Sequence, residues 1–141
     1  MIGLNRTQGT TVSEPGLLIR ELDGSVIQQI PTDVLLSLRH MVTRLTRDQA
    51  LASRLALVAG LRGEGVTYNS LALGAVLTND TDCRTCVVDL NWCWPSQSFT
   101  SPGIAGILAE QADIEQSLVV TNNPRLSILP AGRFAAGQRA I

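Results

Sequence analysis

An α/β fold, with a parallel sheet flanked by helices, is the class that the sequence predicts, and three stretches predict it. Residues 55–59, Leu-Ala-Leu-Val-Ala, form a short unbroken apolar run, the pattern of a strand covered on both faces. A glycine-rich turn follows at Gly60, Gly63 and Gly65, and helical spacing begins at Thr67. A second apolar run, Cys86-Val87-Val88, closes in Asp89, and a third, Leu126-Ser127-Ile128-Leu129, comes later. Strand, helix, strand at this length is a βαβ unit, hence a parallel pair.

The bulk numbers agree with a folded domain. The chain has 141 residues, 45% of them apolar and 16% charged, enough for one domain with its own core. A formal charge of −1 argues against non-specific nucleic-acid or anionic-membrane binding as the main role, since both need a basic surface. No apolar run approaches the ~20 residues of a membrane span. The first residues lack the charged-then-apolar layout of a signal peptide, so a cytoplasmic protein is the expectation. Three cysteines, Cys83, Cys86 and Cys93, are an odd count that does not suit a secreted disulfide framework. Cys83 and Cys86 have metal-ligand spacing, but a structural zinc needs four ligands and the one histidine, His40, lies far away. Ordinary thiols are the better reading.

Taken in order, residues 1–15 are polar and read as a mobile start. Residues 17–22 and 25–30 are β-prone and flank Asp23-Gly24, whose tolerance of positive φ makes a hairpin the expectation over a plain surface loop. Pro31-Thr32-Asp33 opens a helix with Thr32 as a plausible cap. Its apolar stripe is Val34, Leu35, Leu38, Met41, Val42 and Leu45. Arg39, Arg44 and Arg47 lie off the stripe, as a solvated face or a surface for a partner. His40 adjoins it as a packed or half-exposed ring rather than a ligand. The helix after Thr67 carries Leu71, Ala72, Ala75 and Val76 and ends near Thr78-Asn79-Asp80. Residues 91–101 read as a loop with Trp92 and Trp94, and 103–111 as a short helix. A further turn or two spans 113–118, and a Gly/Ala/Arg tail follows residue 129.

The loop carries the chemistry. Strand, glycine turn and helix is the context of a phosphate-binding loop, where backbone N–H groups converge on an anion at the positive end of the helix. The pattern G-x-x-x-x-G-K-[ST] is nearly met by Gly60-Leu61-Arg62-Gly63-Glu64-Gly65-Val66-Thr67, with Val66 in the place of the lysine. The nucleotide-binding candidates are therefore Gly63, Glu64, Gly65, Val66, Thr67 and Tyr68. A strand ending in Asp89, one βαβ unit later, stands where a nucleotide site wants a carboxylate for magnesium.

With these blocks in view, the chain resembles the P-loop tyrosine kinases of bacterial capsule and exopolysaccharide synthesis, within the MinD/ParA-like ATPases. Residues 55–67 are similar to their strand plus P-G-E-G-K-[ST] segment. Cys86-Val-Val-Asp89-Leu-Asn91-Trp-Cys-Trp-Pro95 is similar to their apolar run plus D-A-D-L-R-R-P. Gly103-Ile-Ala-Gly-Ile-Leu108 and Leu126-Ser-Ile-Leu-Pro-Ala-Gly132 match G-L-x-x-x-L and L-x-V-L-P-A-G. Residues 33–45 match a helix that bears on oligomerisation in that family. The resemblance covers about residues 31–133. It implies a P-loop NTPase-like parallel sheet in residues 31–141, amounting to the N-terminal half of the usual domain. Residues 1–30 stand ahead of it as an extension with a small hairpin. The position of the extra lysine in ParA- and MinD-type loops is Leu61 here, which favours the kinase branch over a partitioning ATPase.

The departures from the pattern set the functional expectation. Val66 removes the cation that neutralises the β/γ phosphates, and Asn91 replaces the second aspartate, so it can coordinate but cannot take a proton at neutral pH. Thr67 and Asp89 remain as magnesium ligands, and Asp89 and Asn91 as a degenerate catalytic pair. Glu64 belongs to the ordinary motif and would repel phosphate. The resemblance implies Mg-ATP (ATP and magnesium) as cofactors if binding is retained. It also implies a membrane chain-length or export protein as partner, with localisation at the inner face of the membrane through that partner, and a homo- or hetero-oligomer. No Walker B strand or tyrosine cluster follows Asp89, which leaves half a sheet with an unpaired edge. The expectation is a non-catalytic regulatory or binding relative, with a divergent tyrosine kinase or ATPase as the alternative.

Overall fold

A two-stranded hairpin and a three-stranded mixed sheet, packed against a pair of long helices, make up the fold in a computed structural model that describes residues 16–91, 99 and 101–134. In chain order the elements are β1 (Leu17–Arg20), β2 (Val26–Ile30), α1 (Thr32–Arg47), α2 (Val66–Asp80), β3 (Thr85–Val88), α3 (Gly103–Leu108), α4 (Ile114–Ser117), β4 (Val119–Val120) and β5 (Leu126–Leu129).

The expected hairpin forms. β1 and β2 pair antiparallel from Leu17↔Ile30 to Arg20↔Val26, with a bulge at Ile19/Arg20. Gly24 takes φ +91°, the conformation that the Asp-Gly turn requires of it. The Asp23 carboxylate accepts hydrogen bonds from the Ser25 N–H at 2.8 Å and the Ser25 hydroxyl at 2.7 Å. Both favour the ionised form, so the Asp23 carboxyl lies below the ordinary aspartate value, the backbone N–H being the larger cause. The hairpin's inward residues, Ile19 and Ile30, lie in the same apolar cluster as Leu71, Val76 and Ile128. A bridge between Glu21 and Thr121, with hydrogen bonds between Arg20 and Asn122, ties the hairpin to the far end of β4.

α1 begins one residue earlier than a Thr32 cap would place it. Pro31 is the cap, its φ of −61° and ψ of 153° suiting both the extended chain before it and the helix after it. Leu35 and Val42 are the buried pair of its stripe, while Met41 and His40 are exposed. Arg39 stays exposed on the solvated face and meets Asp80 at 2.7 Å, linking α1 to the end of α2.

α2 is the centre of the core. Leu71 to Val76 and Thr78 are buried, the apolar Leu71, Ala72, Ala75 and Val76 among them. Gly74 is what lets the helix lie close to the sheet: a Cβ there would meet Val87 Cγ2 at 2.7 Å and Leu126 Cδ1 at 3.2 Å. Thr78 returns its hydroxyl to the Gly74 and Ala75 carbonyls, so its burial leaves no unpaired donor.

Two expectations about the sheet need correcting. First, residues 55–59 form no strand. They pair with no neighbour, and Val58 is 88% exposed. An apolar run becomes a strand only where a partner supplies the ladder and cover for both faces, and among the described residues neither is supplied. The parallel pair is instead β3 with β5, in register Thr85↔Leu126 to Val88↔Leu129. Second, the sheet is mixed, in order β3-β5-β4, because β4 runs antiparallel to β5. The turn between them closes on Thr121, whose hydroxyl donates to the Leu126 and Asn123 carbonyls and accepts from the Asn123 N–H.

The predicted short helices are α3 and α4. The first amides of α3 are answered by the chain leaving β5: Ile104 and Ala105 donate to the Pro130 and Ala131 carbonyls, each at 2.9 Å. α4 opens with a capping box between Asp113 and Gln116.

Candidate functional site

The glycine loop turns into α2 as the residue pattern predicts. Gly63 has φ +88°, and Gly65, at the helix cap, φ +78°. Both are conformations that side-chain-bearing residues rarely adopt. Gly65 has no side chain with which to cap the helix; its carbonyl instead accepts from the backbone and side-chain amides of Asn69, at 2.9 and 3.0 Å. Val66 and Thr67 form the first turn of α2, half-buried together with Tyr68.

Glu64 is the unforeseen feature of this loop. One carboxylate oxygen accepts from the Gly60 N–H at 3.0 Å and the Leu61 N–H at 3.2 Å. The loop therefore already holds an anion, its own, where two of its backbone donors converge. With Val66 in place of the lysine, a triphosphate would meet that carboxylate, and Arg62 is the loop's one cation. The loop lacks the lysine that a phosphate-binding loop places against a triphosphate.

Asp89 directly follows β3. Its N–H donates to the Leu129 carbonyl at 2.9 Å, continuing the β3–β5 ladder by one residue. Its Oδ1 accepts from the Asn91 N–H at 2.9 Å, so the degenerate pair is joined through backbone rather than presented as two free side chains. Asp89 lines a cavity of about 280 Å³ with Ser101, Pro102, Gln111, Pro130 and Arg133. This lies beyond the carboxyl ends of the two parallel strands, where open α/β sheets ordinarily receive ligands. Residues 63–68 do not line it, so Thr67 and Asp89, expected to share a magnesium ion, do not line one cavity.

Ser101, Gln111 and Arg133 were not foreseen as site residues. Ser101 is oriented by donating to the Ser117 carbonyl at 2.6 Å while accepting from the Gly103 N–H at 3.2 Å. The Ser-Pro-Gly start of α3 and the arginine after Pro-Ala-Gly are the signals that could have found two of them.

Cys83 and Cys86 are exposed free thiols, and Cys93 lies outside the described residues. Among the described residues, no three His, Cys, Asp or Glu side chains gather as a metal site. No helix there is long and apolar enough to cross a membrane. A scan of protein families finds no match to the chain, and a search of curated proteins finds none either.

Proposed function

We propose that this chain is a non-catalytic relative of the P-loop tyrosine kinases of exopolysaccharide synthesis, serving as a binding or regulatory partner of a membrane chain-length or export component. The observation that carries the reading is the loop: glycine geometry leading into a helix, with Val66 in the lysine's place and the Glu64 carboxylate on the loop's own N–H groups. A hydrogen bond to a charged group contributes ~1.5–3 kcal/mol, so losing the lysine costs at least ~10- to 150-fold in affinity. The loss in turnover is larger, because charge stabilisation is most of phosphoryl-transfer catalysis.

Calorimetric titration of Mg-ATP into the parent chain and into Val66→Lys tests this reading. The expected result is no measurable binding by the parent and recovered binding by the lysine variant. Micromolar binding by the parent would instead favour a divergent ATP-binding enzyme using Thr67 and Asp89, and phosphate release would then be assayed.

A further inference from the structure

Among the described residues, the outer edge of β3 is open. Thr85 and Asp89 donate to the Arg125 and Leu129 carbonyls of the β5 segment, and Val87 lies in phase with them. In a parallel ladder each residue directs both backbone groups to one side, so the N–H and C=O groups of Cys86 and Val88 face the other. No strand pairs with that side among the described residues. The Val88 side chain is 47% exposed, Cys86 is exposed beside it, and Leu90 continues the apolar strip.

The same chain carries a segment fit to pair there. Residues 55–59 are strand-prone, lie outside both sheets and leave Leu55 and Leu57 exposed. Pairing within one chain would run through α2 as a strand–helix–strand crossover, and such a crossover makes the strands parallel. In that sense, setting Leu55 and Leu57 beside Cys86 and Val88 puts Arg54 beside Thr85, and no ion pair is gained. An antiparallel pairing, which the crossover denies to a single chain, sets Leu55 opposite Val88 and Leu57 opposite Cys86. It also sets Arg54 opposite Asp89. Apolar residues then meet on the exposed face, the outward backbone groups of Cys86 and Val88 gain partners, and opposite charges close the end.

We propose that two copies of this chain pair reciprocally, residues 55–59 of each adding antiparallel to the β3 edge of the other, with Arg54 of one copy against Asp89 of the next. The exchange is isologous and closes as a two-fold dimer, which removes two exposed edges at once. The inference is independent of nucleotide binding.

Light scattering across a wide concentration range tests it on the parent chain, Arg54→Asp, Asp89→Arg and the double reversal. A dimer is expected. Loss of a cross-strand ion pair, counted twice per dimer, weakens association about 2- to 30-fold in each single reversal, and the double reversal recovers it. Leu57→Lys, at an exposed position, should abolish the dimer while circular dichroism stays unchanged. As a register check, Leu57→Cys with Cys83→Ser and Cys93→Ser should oxidise through Cys86 to a covalent dimer. A chain that is monomeric at every concentration, a dimer indifferent to the charge reversals, or a Leu57→Cys disulfide formed within one chain would each overturn the proposal.

Discussion

Gly74 is the position where one methyl group tests the packing of α2 on the sheet. In an exposed mid-helix site, Gly→Ala stabilises by about 1 kcal/mol through helix propensity alone. At Gly74 the new methyl would lie 2.7 Å from Val87 Cγ2 and 3.2 Å from Leu126 Cδ1, methyl groups of side chains packed in the core. Overpacking of this kind costs about 1–3 kcal/mol, so the balance predicts a net loss of about 0–2 kcal/mol. With a urea slope of about 2 kcal/mol per molar, the midpoint falls by up to about 1 M. The decisive comparison is with Val87→Ala. Removing the Val87 methyl groups clears the space, so Gly74→Ala in that background should change sign and stabilise by a few tenths to about 1 kcal/mol. If Gly74→Ala stabilises the parent chain by the full propensity gain, or if the Val87→Ala background leaves its effect unchanged, the close approach of α2 to β3 is wrong.

Two further outcomes follow from local geometry. Replacing Glu64 by Ala frees the Gly60 and Leu61 amides; because the carboxylate is exposed, their hydrogen exchange should quicken by about threefold to tenfold, with amides deep in α2 unaffected. The Asp23 carboxyl should titrate below the ordinary aspartate value in an NMR pH series. A pKa lower in the folded than in the unfolded chain stabilises above the unfolded value, and that contribution is lost as pH falls through the folded one. Asp23→Asn should therefore flatten the acid end of the stability curve slightly, and an unchanged slope below about pH 4 would refute the Ser25 contacts as its cause.

Much of the fold was legible because its signals are local. The Asp-Gly turn, the stripe centred on Leu35 and Val42, the helix beyond Gly65 and the β5 run each announce themselves within a few residues. β4 was missed because Val119-Val120 is too short to carry a period; it exists because Thr121 closes a turn that folds it onto β5. Residues 55–59 fail in the opposite direction. They have the composition of a buried strand, but strand is a property of a pair, and composition cannot supply the partner.

The same distinction separates what could be read of the site from what could not. Positive φ at Gly63 and Gly65 is a demand of backbone sterics, so glycine spacing reveals the shape of the loop. What occupies that shape is decided by charge at close range. In the sequence Glu64 reads only as a repulsive neighbour for phosphate, yet a carboxylate three or four residues from two convergent amides can reach back and satisfy them itself. Asp89 was legible as the residue ending a parallel strand, and it does line a cavity there. That Thr67 does not line this cavity was not legible, since the loop's place depends on residues 55–59, and they stand outside the sheet. Anchoring them on a second copy's β3 would fix the loop to the partner's sheet and set its own Arg54, rather than its own Thr67, beside the partner's carboxylate.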